Sequence, residues 1–161
     1  MANNTAIIHI GPGEGDAFSA VGDVHRVLAS GRQTGDVYTL HEIRASPNNG
    51  PPPHIHPRED ECFFVLEGEG EFQIGDEKIT ARAGTFIQGP RGIAHSFKNN
   101  TQLPARILVF ITPAGFENFV SEFAQPLASF ESPAIPASKD EIDKLLAAAP
   151  KYGIQILPPN K

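Results

Sequence analysis

The chain has 161 residues, with 13 Lys and Arg against 19 Asp and Glu, giving a formal charge of −6. This acidic balance argues against nucleic acid and anionic membrane, which need a basic face, and leaves a small molecule as the expected partner. A single cysteine excludes an internal disulfide framework, no apolar run nears the ~20 residues of a membrane span, and the amino terminus lacks a basic stretch ahead of an apolar one, so a cytoplasmic single-domain protein is expected.

In chain order, residues 5–10 read as a short strand set apart by the breaker Gly11-Pro12-Gly13-Glu14-Gly15. Residues 24–29 and 36–44 read as two strands joined by a polar loop, and the Pro-rich lead 46–53 feeds stiffly into His54. Strand-like runs follow at 62–66, 71–74, 78–82, 85–88, 95–98 and 106–111, punctuated by glycine turns. So many short strands predict an all-β barrel or sandwich. Beyond Pro113 the period changes. Phe116, Phe119 and Phe123 predict a helix over 117–124 as core or lid, residues 125–137 a Pro-rich loop, and Ser138 with Glu141 a capping box. Ile142, Leu145, Leu146 and Ala149 form the apolar stripe of that last helix, Gly153 follows its end, and residues 154–157 add a strand or strap.

The chemistry concentrates around His54 and His56, which alternate onto one face of an extended segment. Pro57 to Asp60 reads as a polar turn, so Glu61 is expected to return beside the histidine pair on the adjacent antiparallel strand of one hairpin. His95, just past the Pro90-Arg91-Gly92 turn, is the fourth candidate. Three imidazoles and a carboxylate suit Fe, Mn, Ni, Co, Cu or Zn without choosing among them, and Glu61 is also the candidate general base. His9, His25 and His41 read as structural, with His41 the best placed to reach a cavity. Glu59 and Asp60 read as solvated, and Cys62, alternating away from Glu61, as a small buried apolar residue. An inward Arg91 would favour an anionic substrate.

These stretches resemble the two motifs of the cupin superfamily. His54, His56, Glu61 and Gly68 fit the first, G-x5-H-x-H-x3,4-E-x6-G, with only its opening glycine out of register, Gly50 lying near that place. Gly84, Pro90, Gly92, His95 and Asn99 fit every defined position of the second, G-x5-P-x-G-x2-H-x3-N. The resemblance implies a double-stranded β-helix, or jelly-roll barrel, with short C-terminal helices and one divalent transition metal in its mouth. It divides the chain into an arm and first strand (1–34), a barrel core (35–112) and a helical extension (113–161), and it implies a homodimer joined by crossing arms. Pro51-Pro52-Pro53 ahead of His54, Thr112-Pro113-Ala114-Gly115-Phe116-Glu117 and Tyr152-Gly153-Ile154 further resemble bacterial quercetinase-like single-domain cupins. That likeness implies a dioxygenase in which His54, His56 and His95 hold the metal, while Glu61 ligates it and accepts the proton of a flavonol hydroxyl. Alternation makes Phe63, Val65, Phe72, Ile74, Phe86 and Phe97 the candidate substrate walls. A non-oxidative isomerase or lyase, and a binding protein without turnover, are the alternatives the same ligands allow.

Overall fold

The computed structural model describes residues 7–158, and among them the strands fall into two antiparallel sheets. In chain order they are β1 (Ala17–Ala20), β2 (Asp23–Ala29), β3 (Thr39–Ala45), β4 (His54–Ile55), β5 (Asp60–Glu67), β6 (Glu69–Ile74), β7 (Glu77–Arg82), β8 (Phe86–Gly89), β9 (His95–Lys98), β10 (Ala105–Thr112), β11 (Gln125–Leu127) and β12 (Gln155–Ile156). One sheet runs β11-β1-β2-β3-β10-β5-β8 and the other β12-β4-β9-β6-β7. From β4 to β10 the chain crosses repeatedly between the sheets, which makes the jelly-roll barrel. No helix among the described residues is long and apolar enough to cross a membrane.

Alternation sets what each sheet faces. On β5, Glu61, Phe63 and Val65 are buried inside, while Phe64 and Leu66 point out. Ile107, Val109 and Ile111 of β10 lie beside them in register and share the interior. Phe63, Phe72 and Phe97 close the core between the sheets, with ring centroids 5.2–6.1 Å apart. Burying each such ring contributes about 1.5–3 kcal/mol. Asn99, fully buried, ties three segments together: its Nδ2 donates to the carbonyls of Ala45 and Leu103, and its Oδ1 accepts from Thr101.

Several expectations are corrected. β4 pairs with β9 and β12, whereas β5 pairs with β10 and β8, so His54 and Glu61 sit on opposite sheets and not in one hairpin. The segment between them is a crossover. Residues 7–10 form no strand, and the rest of that expected strand lies outside the described residues. Between β2 and β3 a helical turn, α1 (Gly31–Thr34), replaces the loop. Two short strands lie outside the expected set: β1, which pairs with β2 across the turn at Val21-Gly22, and its distant partner β11, inside the expected Pro-rich loop. Phe86 is 61% exposed on the outer face of its sheet and walls nothing, because the inward position on β8 belongs to Ile87.

The C-terminal segment covers one end of the barrel. α2 (Phe116–Ser121) and the turn after it, α3 (Lys139–Ala148) and a 3₁₀ turn (Ala149–Tyr152) contribute Phe119, Phe123, Leu145 and Ala149 to a second apolar cluster with Ala20 and Ile154. Ser138 caps α3 by accepting from the Glu141 N–H, as expected. The Glu141 carboxylate does not complete the box; it accepts from the Val21 N–H at 2.8 Å, pinning the helix to the turn after β1. The buried face of α3 is therefore Glu141, Leu145 and Ala148, and Leu146 is exposed.

Candidate metal centre and cavity

His54, on β4, is paired in register with His95 on β9, and His56 follows β4 by one residue. Glu61 reaches them from β5 across the barrel mouth. All four are buried, and one ligand atom from each lies within 4.8 Å of every other. The carboxylate oxygen Oε2 of Glu61 is the common point, 2.7 Å from His95 Nε2, 3.3 Å from His56 Nε2 and 3.6 Å from His54 Nε2.

Backbone carbonyls fix how two of these rings are protonated. His54 Nδ1 lies 2.8 Å from the Pro52 carbonyl oxygen and His95 Nδ1 lies 3.0 Å from that of Ile93. A carbonyl only accepts, so each Nδ1 carries a proton, and in its neutral form each ring turns the lone pair of Nε2 toward Glu61. Lone pairs then converge on a carboxylate oxygen, an arrangement that requires a cation or shared protons at its middle. Among the described residues His56 has no hydrogen-bond partner at either nitrogen, although Glu59 Oε2 stands 3.6 Å from its Nδ1. The donor set and these orphaned nitrogens fit one divalent transition metal.

Electrostatics point the same way. Burial alone raises the Glu61 carboxyl, but hydrogen bonding and charge from His54, His56 and His95 outweigh it and hold it well below the usual range. Burial lowers His56, yet Glu59 and Glu61 overcome this and push it up to about 9. Burial dominates at His54, which is lowered. A proton on His56 thus neutralises the cluster where no metal is bound.

A cavity of about 80 Å³ opens beside His54 and Glu61. Phe97, Ile43, Phe116, Phe119 and Phe123 line it, together with Asp23 and His25 of β2. Of the six expected wall residues only Phe97 lines this space. Phe63, Val65 and Phe72 fill the barrel core, and Ile74 packs against them. The Phe116, Phe119 and Phe123 stripe is both core and wall.

Residues 41–111 match the family described as the cupin domain, a stretch that runs from within β3 to within β10 and holds all four cluster residues. The chain belongs to the cupin superfamily. This cupin is 25% identical over 130 residues, 81% of its length, to quercetin 2,3-dioxygenase of Bacillus subtilis, of which it spans 38%. It is 40% identical over 75 residues, 44% of its length, to germin-like protein subfamily 2 member 2 of Arabidopsis thaliana, of which it spans 34%. The chain therefore covers little more than a third of the length of these curated relatives. Among solved structures, KdgF from Halomonas sp. superposes with a TM-score of 0.62 at 16% identity, over 71% of this cupin and 99% of that chain, a likeness of fold.

Residues dismissed from sequence also gather at the centre. Glu59, expected in solvent, is 5% exposed and stands behind His56, held by Arg58 at 3.0 Å. His25 and His41, read as structural, lie buried with T-shaped rings 6.2 Å apart, and His41 packs on Phe116. The alternation Asp23-Val24-His25, two polar groups on one face of a strand, was the available signal. Arg91 is exposed and bound to Asp60 at 3.0 Å, so it supplies no cation to the cavity. Cys62 is half-buried on the outer face, away from Glu61.

Proposed function

We propose that this cupin is a metal-dependent dioxygenase acting on a compact hydroxylated aromatic compound. The observation that carries the reading is a cluster of three histidines and one glutamate that opens directly onto an apolar cavity. Similarity to the relative named quercetin 2,3-dioxygenase over 81% of the chain supports it. A divalent metal held by His54, His56, Glu61 and His95 would supply Lewis acidity and, where redox-active, an electron path to dioxygen.

The protein's own part follows from its geometry. The Pro52 and Ile93 carbonyls keep the His54 and His95 rings in one orientation. Glu61 Oε1 has no hydrogen-bond partner among the described residues, so the ionised carboxylate takes the proton of a substrate hydroxyl there. Phe116, Phe119 and Phe123 keep water from the apolar side. A space of about 80 Å³ is near half the ~150 Å³ that holds benzene in an engineered apolar cavity. A single ring therefore needs modest yielding of the α2 and α3 side chains, and a three-ring flavonol needs far more.

Dioxygen uptake tests the proposal, with protein loaded anaerobically and separately with Fe(II), Mn(II), Co(II), Ni(II) and Zn(II), and with catechol and quercetin as probes. Uptake with a redox metal that disappears in Glu61→Ala supports it. No uptake by any form shown by elemental analysis to be loaded overturns it for these substrates. The small cavity favours one second reading, a non-oxidative isomerase or lyase on a compact substrate, which would convert substrate without consuming dioxygen.

A further inference from the structure

The cavity beside the cluster has a second polar wall that the candidate metal centre does not use. Asp23 and His25 lie two residues apart on β2, share its inward face and line the same space as His54 and Glu61. They are 3% and 8% exposed. Every other lining side chain outside the cluster is apolar, and no lysine or arginine is among them.

Buried polar groups normally find partners within the protein, and here they do so only in part. Asp23 Oδ1 accepts from the Ser46 N–H at 2.8 Å and from Asn49 Nδ2 at 2.9 Å, which fixes the carboxyl. Asp23 Oδ2 has no hydrogen-bond donor among the described residues. His25 is held by its face, stacked on Phe18 with centroids 5.1 Å apart, and its Nδ1 has no partner among the described residues. Beside it, both ring nitrogens of His41 also have no partner among the described residues. An unpaired buried donor or acceptor is destabilising, a cost relieved when a bound molecule supplies the partner.

Resting on the reading of the neighbouring cluster as a metal centre, we propose that Asp23 and His25 are a distal anchor that binds a second hydroxyl of the substrate, on the ring edge away from the metal. The chemistry selects the ligand class. With the Asp23 carboxylate at this end of the cavity and no lysine or arginine in the lining, a carboxylate or phosphate group is disfavoured there. A neutral hydroxyl donates to Asp23 Oδ2, and the ring edge of His25 meets its oxygen or a neighbouring polar atom. Burial pushes His25 down to about 3, so it serves as a neutral imidazole. The apolar wall of Phe97, Phe116 and Phe119 accommodates the ring between the two polar ends.

Binding by the Zn(II)-loaded full chain, without oxygen, separates this anchor from catalysis. Calorimetric titration with phenol, resorcinol and hydroquinone compares one hydroxyl with two, in wild type, Asp23→Asn and His25→Phe. Asp23→Asn keeps the acceptor for Ser46 and Asn49 and replaces the free acceptor by a donor; His25→Phe keeps the stack on Phe18. Wild type is expected to bind at least one of the diols about tenfold or more tighter than phenol. Both variants should retain zinc, melt cooperatively and bind phenol as wild type does, while the diol preference falls severalfold or more. A diol preference that persists in both correctly loaded variants overturns the anchor, as does failure of loaded wild type to bind any of the three. If the anchor behaves as expected and the redox-metal forms consume no dioxygen, the dioxygenase reading fails and the anchor stands.

Discussion

Glu61 Oε2 stands 2.7 Å from His95 Nε2, on the far side of a ring whose Nδ1 faces the Ile93 carbonyl. With the proton of the neutral ring on Nδ1, a lone pair and a carboxylate oxygen meet at hydrogen-bond distance, a contact that only a proton or a cation makes favourable. The protein should therefore bind about one divalent ion per chain and melt at higher temperature when loaded, since a ligand that binds only the folded state stabilises it. His95→Ala and Glu61→Gln should each lower zinc affinity by at least tenfold and shrink that thermal shift. Elemental analysis after dialysis and a melt with and without zinc check this; full stoichiometric retention of zinc by His95→Ala would show that the ion sits elsewhere.

Glu59 acts on the centre through His56. Its Oε2 lies 3.6 Å from His56 Nδ1 and has no hydrogen-bond partner among the described residues, so a small closing movement makes an N–H···O bond that would turn the Nε2 lone pair toward a bound metal. Outer carboxylates of this kind are worth about 10–100-fold in metal affinity. Glu59→Gln should lose affinity within that range yet keep one equivalent at saturating zinc. A competition titration against a chromophoric chelator measures it, and unchanged affinity would reduce Glu59 to a partner of Arg58.

What sequence revealed and what it hid divide along physical lines. Glu61 and His95 joined the histidine pair through the resemblance to the cupin motifs, while His54, His56 and the barrel strands from β5 to β10 were legible because period-two spacing and turn residues act locally. The route of Glu61 was not. Whether a strand after a polar turn folds back or crosses to another sheet depends on pairing with β10 and β8, whose residues lie far along the chain. The roles of Asp23, His25 and Glu59 were hidden because polarity in a strand or turn reads as solvent exposure until the surrounding packing is known. Phe86 fails in the opposite sense: an apolar residue in a strand reads as an inner wall, while the pleat turns it out.

Gly50 couples the fold to the centre. A Cβ there would lie 2.0 Å from the Phe97 carbonyl oxygen, an overlap that only backbone movement relieves. Gly50 opens the stiff Pro51-Pro52-Pro53 lead, and Pro52 is the residue whose carbonyl orients His54. Gly50→Ala should therefore cost about 1–3 kcal/mol of stability, as overpacking does, and should also weaken zinc binding. Asn99→Ala serves as the comparison: it removes a buried amide that bonds Ala45, Leu103 and Thr101, and should cost roughly 2–4 kcal/mol with a smaller effect on zinc. Urea denaturation with zinc titration of both variants separates the two effects; equal losses of zinc affinity would remove the special link between Gly50 and His54.

The buried histidines predict how stability of the metal-free protein responds to acid. Burial, which outweighs the opposing charges of Glu117 and Glu61, lowers His41 from 6.5 to about 4. A depressed folded value means that the unfolded chain binds the extra proton first, so the stability His41 contributes is present above pH 6.5 and is lost as pH falls toward 4. His25 and His54 act in the same direction. Asp23 opposes them, because burial raises it from 3.8 to about 6 and the folded state takes up its proton first over that interval. His56, raised to about 9, is already protonated in both states at the acid end and adds no slope there. Between about pH 6 and pH 5 each fully responding histidine contributes a slope approaching 1.4 kcal/mol per pH unit. His41→Phe should therefore reduce the loss of stability over that unit by about 1 kcal/mol, read from urea unfolding at the two pH values. An unaltered difference would mean that His41 takes its proton as readily in the folded protein as in the unfolded chain.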